Sequence, residues 1–379
     1  MKKIILLCIV TLMALSAFAQ SPRLMSMGHV HGYIADDSDI FMYPATIHKY
    51  NNTAYAYLGD LAGDEDNYNF GINYGMHDLV IGAYFNKPLP EFLDAINLNI
   101  ALPNLKLEKQ FEMFVGFSES MAINFNLAMD SYAKAVADPD NEDTQSFMMF
   151  GLGFGYSTDM MDLGLHFEMP LLSTEVFAAD GSSVEKTENK MGFDLGGRMT
   201  FAQMGDVDLV GLANFDFDTS TYDDGDDGDD TIDSNMGFDL GIAGVINADE
   251  KNKVVLGVTP FGMAIATNDD GTDVDIETMI VLPAFNVGLE SMITKWLVVR
   301  AGAEQAYSMF TIVDETGATE ATITQWDSNF MYTMGLGVMW KNFTMDFVLN
   351  EDFLHNGPNV VTGADTADLA AELMIKYKF

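Results

Sequence analysis

From about residue 52 to its end the chain repeats with a period of two. Met191, Phe193, Leu195, Gly197, Met199 and Phe201 alternate with Lys190, Gly192, Asp194, Gly196, Arg198 and Thr200. Met161, Leu163, Leu165, Phe167 and Met169 alternate with Asp162, Gly164, His166 and Glu168. Met236, Phe238, Leu240 and Ile242 are set against Gly237, Asp239 and Gly241, and Phe343, Met345, Phe347 and Leu349 against Thr344 and Asp346. Successive side chains of a strand point to opposite faces, so each run is a strand with one apolar and one polar face. About sixteen such runs of roughly nine to fifteen residues fit the 9–11 residues that span a bilayer as a tilted strand. A helical fold cannot use this pattern.

Composition narrows the choice. The 379 residues hold 57 Asp and Glu against 18 Lys and Arg, a formal charge of −39, yet 48% are hydrophobic. That apolar fraction excludes an acidic disordered chain. The charge excludes nucleic acid as a partner, since phosphate binding needs clustered Lys and Arg. The first residues read as an export signal: Lys2 and Lys3, an apolar core from Ile4 to Leu15, then Ala17-Phe18-Ala19 as the small-x-small cleavage site. Cleavage near Ala19 removes the single cysteine, Cys8, and with it any disulfide or thiolate metal site. Beyond the signal, no stretch approaches the roughly 18–20 apolar residues of a membrane helix.

Connection lengths alternate as well. Short ones are expected near Met76–Asp78, Ser118–Ser120, Ser157–Met160, Gln203–Asp206, Ala248–Lys251, Ser291–Lys295 and Lys341–Asn342. Long ones fall near Asp130–Thr144, Phe177–Glu188, Asp218–Ser234, Thr267–Asp273, Asp314–Thr319 and Glu351–Thr366. Outer-membrane barrels sort their loops this way, with short periplasmic turns and long external loops; a soluble β-sandwich has no reason to. Trp296 and Trp340 flank short turns, the place of a periplasmic aromatic girdle. The last strand alternates through Leu373, Ile375, Tyr377 and Phe379, and Tyr377 with the terminal Phe379 is expected to be the signal read by the barrel-insertion machinery.

Residues 21–51 do not alternate. They carry Met27-Gly28-His29-Val30-His31-Gly32, then Ala35-Asp36-Asp37-Ser38, then Tyr43-Pro44-Ala45. This stretch resembles the N-terminal segment of FadL/PorV-like outer-membrane barrels, with a glycine-rich start, an A-D-D-S run and an N-P-A turn in which Tyr43 replaces the asparagine. The resemblance implies a barrel of about fourteen strands and an N-terminal plug built on Gly28, Asp36, Asp37, Tyr43, Pro44 and Ala45. It also implies either inward carriage of hydrophobic compounds or partnership with a secretion system. The expected fold is therefore all-β: a transmembrane antiparallel up-and-down barrel of about 14–16 strands, with signal 1–19, plug segment 20–51 and barrel 52–379. Between Pro88 and Lys109 alternation at Ile96, Leu98, Ile100 and Leu102 is broken by prolines, which suits a loop folded into the lumen or an external lid.

Candidate site residues fall into three groups. On the inward face, His166, Asp194, Arg198, Asp239, Arg300, Glu304 and Asp346 are expected to line the lumen, either setting ion selectivity or pairing to stiffen a filled interior. Inward glycines, among them Gly155 and Gly335, leave room for a plug or solute, or mark strand curvature. In the longest external loop Asp223, Asp224, Asp226, Asp227, Asp229 and Asp230 are spaced by glycine. Such a run holds Ca²⁺ loosely or is simply a solvated, self-repelling loop, and it lacks the EF-hand spacing. His29 and His31 have no third partner for a metal, and the 27 methionines are dispersed as apolar side chains rather than clustered. No nucleophile elbow, His-Glu-x-x-His or phosphate-loop motif occurs, so no enzyme is expected.

The reading that results is an exported barrel of the bacterial outer membrane, in contact with lipid and lipopolysaccharide. It passes small molecules, hydrophobic ones included, and uses no cofactor beyond loosely held Ca²⁺. A PorV-like scaffold for secretion and an open cation-preferring porin are the alternatives.

Overall fold

The computed structural model describes residues 21–30, 32–60, 68–87, 110–135, 142–177, 183–223, 231–269, 274–314, 321–349 and 370–379. Sixteen strands follow one another: β1 (Thr53–Asp60), β2 (Asn69–Met76), β3 (Leu79–Lys87), β4 (Gln110–Ser118), β5 (Met121–Ala135), β6 (Glu142–Ser157), β7 (Met161–Phe177) and β8 (Ser183–Met204), then β9 (Val207–Asp223), β10 (Thr231–Asn247), β11 (Asn252–Asp269), β12 (Val274–Met292), β13 (Leu297–Asp314), β14 (Ala321–Trp340), β15 (Phe343–Leu349) and β16 (Ala370–Lys378). Each pairs antiparallel with the next, and β16 closes on β1 through pairs running from Thr53↔Lys378 to Tyr57↔Met374. The strand number is sixteen, not the fourteen that the resemblance implies. Closure leaves no sheet edge, which is how strands satisfy their backbone groups in lipid.

Alternation has the orientation read from the sequence. On β7, Leu163, Leu165, Phe167 and Met169 are exposed outward, while Asp162, His166 and Glu168 are buried inside. An apolar exterior around a polar interior inverts a soluble protein and fits a membrane barrel. Trp296 and Trp340 are both exposed beside short turns, and the Lys341 ammonium lies 5.4 Å from the Trp340 ring centroid.

The short turns fall where expected, such as residues 77–78, 119–120, 205–206 and 341–342. Three of them place a residue in the left-handed region that tight hairpins require, His77 at φ 55, Gly205 at φ 63 and Lys341 at φ 55. The opposite connections, including Pro88–Lys109, residues 224–230 and 350–369, lie outside the described residues. The wall is uneven. Strands β5 to β14 run from 15 to 22 residues, beyond the expected span, whereas β15, β16 and β1 to β4 have 7 to 9.

The buried core lies inside the barrel, toward the short turns, where residues 21–30 and 32–50 pack against the inward faces of the strands. Leu24, Met27, Val30, Tyr33 and Ile34 meet Val210, Ala243, Val245 and Val255 on one side. Ile40, Ala45 and Ile47 meet Tyr55, Val80, Tyr84, Phe114 and Ala122 on the other.

Candidate functional site

The inner segment is built from short pieces that its sequence specifies. Helix α1 (Pro22–Met25) opens with Pro at its first turn and Ser21 as cap, whose hydroxyl accepts from the Leu24 N–H at 3.3 Å. Asp36 folds the A-D-D-S run by accepting from both the backbone N–H (3.1 Å) and the hydroxyl (2.8 Å) of Ser38. Helix α2 (Asp39–Met42) and a 3₁₀ turn (Pro44–Tyr50) follow. Gly28 has φ +73, and its N–H donates to Thr333 Oγ1 at 2.8 Å while its carbonyl accepts from Asn286 at 3.1 Å. Close approach is permitted by glycines on the wall. A Cβ at Gly302 would overlap Met27 and Gly28, one at Gly164 the Met42 carbonyl, and one at Gly155 the Ala45 nitrogen.

Two sets of ion pairs hold the segment to opposite walls. In the first, Arg23 grips Glu290 of β12 through two 2.8 Å bonds and reaches Asp36 at 3.2 Å. Glu290 also accepts from Arg300 of β13 at 2.8 Å, Arg300 meets Asp346 of β15 at 2.7 Å, and Lys376 of β16 joins Asp346 (2.9 Å) to Asp37 (3.0 Å). Because Asp36 and Asp37 are neighbours, the chain of charges closes into a ring. In the second set, Arg198 of β8 bonds Asp39 at 2.7 Å and Asp162 of β7 at 2.6 Å, and donates to the carbonyl of Ile34 at 3.1 Å. Lys49 reaches Asp162 at 2.9 Å, and the Arg198 guanidinium lies 5.2 Å from the Tyr43 ring centroid.

Burial shapes the acids of the segment. It pushes Asp39 up to about 6 against the pull of Arg198, and Asp37 up to about 7 against that of Lys376, with Asp36 alongside. Burial opposes the charge of Asp36 too, but Lys376 and Arg23 outweigh it and hold that carboxyl well below the usual range.

Farther from the short turns, β7 to β10 present Glu168, Asp194, Asp216, Asp218 and Asp239 to the interior. Asp194 and Asp216 are register partners, and Gly192 is the partner of both Glu168 and Asp218. Asn126 donates to Glu168 Oε1 at 2.6 Å, Asn235 to Asp218 at 3.0 Å, and Asn214 to both oxygens of Asp239 at 3.1 and 3.3 Å. Glu168 Oε2 is buried with no hydrogen-bond partner. Among the described residues no Lys or Arg forms an ion pair with any of these five acids; Lys190 on the same face pairs with Glu188 at 3.2 Å and attracts Asp218 from farther off. The β1–β4 side has different chemistry, with the Phe41 ring edge-on to Tyr84 and Phe114 at 5.0 and 5.7 Å.

Most residues singled out in the sequence have a definite place. Arg198, Arg300 and Asp346 are committed to the ion pairs above. His166 Nε2 lies 3.0 Å from the Met42 carbonyl oxygen, and Glu304 is 3.5 Å from His29 Nδ1. Asp194 does not pair with Arg198, nor Glu304 with Arg300, since residues four apart on a strand stand about 13 Å apart. Gly28, Asp36, Asp37, Tyr43, Pro44 and Ala45 all contact the inner wall or its ion pairs. Asp223 ends β9, while Asp224, Asp226, Asp227, Asp229, Asp230 and His31 lie outside the described residues. Tyr377 packs on Phe343 at 4.7 Å, and Phe379 lies between Tyr74 (6.3 Å) and Tyr377 (6.4 Å). Sequence reasoning missed Arg23, Lys49, Glu290 and Lys376; the one available signal was the scarcity of Lys and Arg, 18 against 57 acids, which marked the three basic residues and not Glu290. Beside the first ring, a cavity of about 670 Å³ opens at the short-turn mouth, lined by Arg23, Lys251, Lys253, Glu290, Arg300 and Lys376.

Neither a known protein family nor any curated protein matches the sequence. Among solved structures, the toluene transporter TodX of Pseudomonas putida is 11% identical over 95% of this chain and 98% of its own, with a TM-score of 0.38. The CymD monoaromatic hydrocarbon channel is 9% identical over 94% and 97%, with a TM-score of 0.39. OmpT of Vibrio cholerae, an outer membrane protein, is 10% identical over 76% and 95%, with a TM-score of 0.36. These are similarities to barrels at scores too low to bear on cargo, and the sixteen-strand closure rests on its own strand pairing.

Proposed function

We propose that the chain is an outer-membrane barrel that passes small molecules and that residues 21–50 act as its gate. The observation that carries this reading is the pair of ion-pair sets that fasten one continuous segment to β7–β8 and to β12–β16 across the interior. Ion pairs made between a segment and a wall can be exchanged for water, whereas the ladder of strand hydrogen bonds around them is untouched by that exchange. The apolar exterior, the sorted turns and the exposed tryptophans support the membrane location. Export past residue 19 is part of the same proposal.

The lining offers two chemistries: aromatic on β1–β4, where hydrophobic cargo of the kind implied by the FadL-like resemblance would rest, and carboxylate on β7–β10. The test is planar-bilayer conductance of the chain from Gln20, with and without residues 21–50. The full chain is expected to be closed with brief openings, and the shortened one to show steady large steps. Equal steady steps from both would refute gating by the segment. Silence from both, with correctly inserted barrels, would favour the PorV-like secretion partner.

A further inference from the structure

We infer that the carboxylate face of β7–β10 is a binding site for a small organic diamine or polyamine. The inference rests on the passage reading above and names a cargo class for it. Five acids, Glu168, Asp194, Asp216, Asp218 and Asp239, occupy four neighbouring strands, and among the described residues none is in an ion pair; Lys190 and Lys87, each paired with another acid, attract Asp218 and Glu168 only from farther off. Such charges are costly inside a protein unless a counter-cation meets them.

The hydrogen bonding is equally one-sided. Amides donate to Glu168, Asp218 and Asp239, while Glu168 Oε2, on a residue only 6% exposed, faces no donor. Across from it stands Gly192, which has no side chain to fill the space between Glu168 and Asp218. What Glu168 Oε2 lacks is a donor, which an ammonium group would supply together with a charge.

The geometry selects among cations. Among the described residues no three of His, Cys, Asp or Glu stand close enough to hold one metal ion. Glu168 and Asp218 flank β8, and two strand spacings separate them by roughly 10 Å. A single inorganic ion cannot bridge that distance; two ammonium groups joined by methylenes can, one near Glu168 and Asp194 and the other near Asp216 and Asp239. Beneath, at Gly196, lies the thioether end of Met42 from α2, an apolar surface for the methylenes. The barrel already holds an ammonium in this manner. Lys87 Nζ sits 2.7 Å from Glu112 Oε2 and 3.6 Å from the Phe41 ring centroid.

The experiment is calorimetric titration of the refolded chain from Gln20 in zwitterionic micelles with putrescine and with spermidine. Salt at about 0.15 M suppresses loose attraction to exposed acids. Saturable binding is expected, weakened about tenfold or more by combined Asp194→Asn and Asp216→Asn, near-isosteric changes that each remove one close charge pair. Glu168→Gln serves as a second variant, and heat-dependent gel migration checks that each barrel is folded. The acidic run 223–230 is present in every protein, so only the difference between variants is read. Absence of saturable binding, equal binding by folded wild-type and variant chains, or equal competition by Ca²⁺ at matched charge would overturn the inference. Binding is read without transport, so a chain that binds amine yet conducts nothing would sink the passage reading alone.

Discussion

Replacing Arg198 by alanine is the sharpest test of how the inner segment is held. Its guanidinium, on a side chain 7% exposed, bonds Asp39 at 2.7 Å and Asp162 at 2.6 Å and satisfies the Ile34 carbonyl. Asp162 would retain Lys49 and Ser157, but Asp39 would be left buried without a cation. Removing one partner of a buried pair costs about 3–5 kcal/mol, which at 1.4 kcal/mol per factor of ten moves the docked-to-released ratio by roughly two to three and a half orders of magnitude. Asp39 can escape part of that cost by taking up a proton, its carboxyl being already pushed up to about 6, so the measurement belongs at pH 8 or above. The bilayer trace should change from brief openings to steady conductance, and trypsin should gain access to Arg23 and Lys49. If the loss arises from the orphaned charge, then Arg198→Met together with Asp39→Asn and Asp162→Asn should close the barrel again. Lys49, 40% exposed, can then be solvated instead. An Arg198→Ala chain as silent and as protease-resistant as the wild type would refute the clamp; a triple variant as open as the single one would refute its electrostatic origin.

Further outcomes follow from the same contacts. Asp37 and Asp39 have raised pKa values when docked, so docking is strongest below their ordinary value near 4 and weakens as pH rises through about 6 to 7. Openings should therefore be more frequent at pH 8 than at pH 6, a window in which Asp36 stays ionised; the opposite trend would show that other groups govern release. Gly164→Val would drive a side chain into the Met42 carbonyl. Overpacking of about 1–3 kcal/mol should speed tryptic nicking at Lys49 by about tenfold, with heat-dependent migration unchanged; unaltered nicking would argue against that contact. Phe379→Ala removes an exposed ring, so stability should fall by about 1 kcal/mol or less, whereas the yield of machinery-assembled barrel should drop several-fold. Equal yields would remove the terminal ring from the insertion signal.

Much of the fold was legible because lipid imposes a contrast on every second residue. Where strands rise beyond the lipid that contrast ends. Thr219–Asp223 and Thr231–Asn235 carry only Tyr222 and Ile232 among polar residues, too few to show alternation, so they read as loop although β9 and β10 pair through them. The same loss hid the full lengths of β5, β6 and β8. The inner segment stood out through its lack of alternation, yet its partners did not, because Arg23 and Glu290 are 267 positions apart and nothing local marks them as a pair. Asp194 and Arg198 share the inward face of β8, but an extended backbone separates them too far to touch.

The uneven wall bears on the order in which the molecule assembles. The tall hairpins of β5–β14 join near neighbours in sequence, so they form with little loop-closure entropy. The seam between β1 and β16 unites the two ends of the chain through only 8 and 9 residues, with an irregularity past Tyr57. By the same reasoning its closure, across the greatest sequence separation of any strand pair, carries the largest loop-closure cost. Inside it, Lys376 of β16 grips Asp37, while Tyr55 of β1 packs into the cluster around Ile40 and Ile47. The segment that lies across the interior thus also rivets the joint behind it. Docking of that segment adds side-chain contacts to a joint whose strand pairs stand on their own.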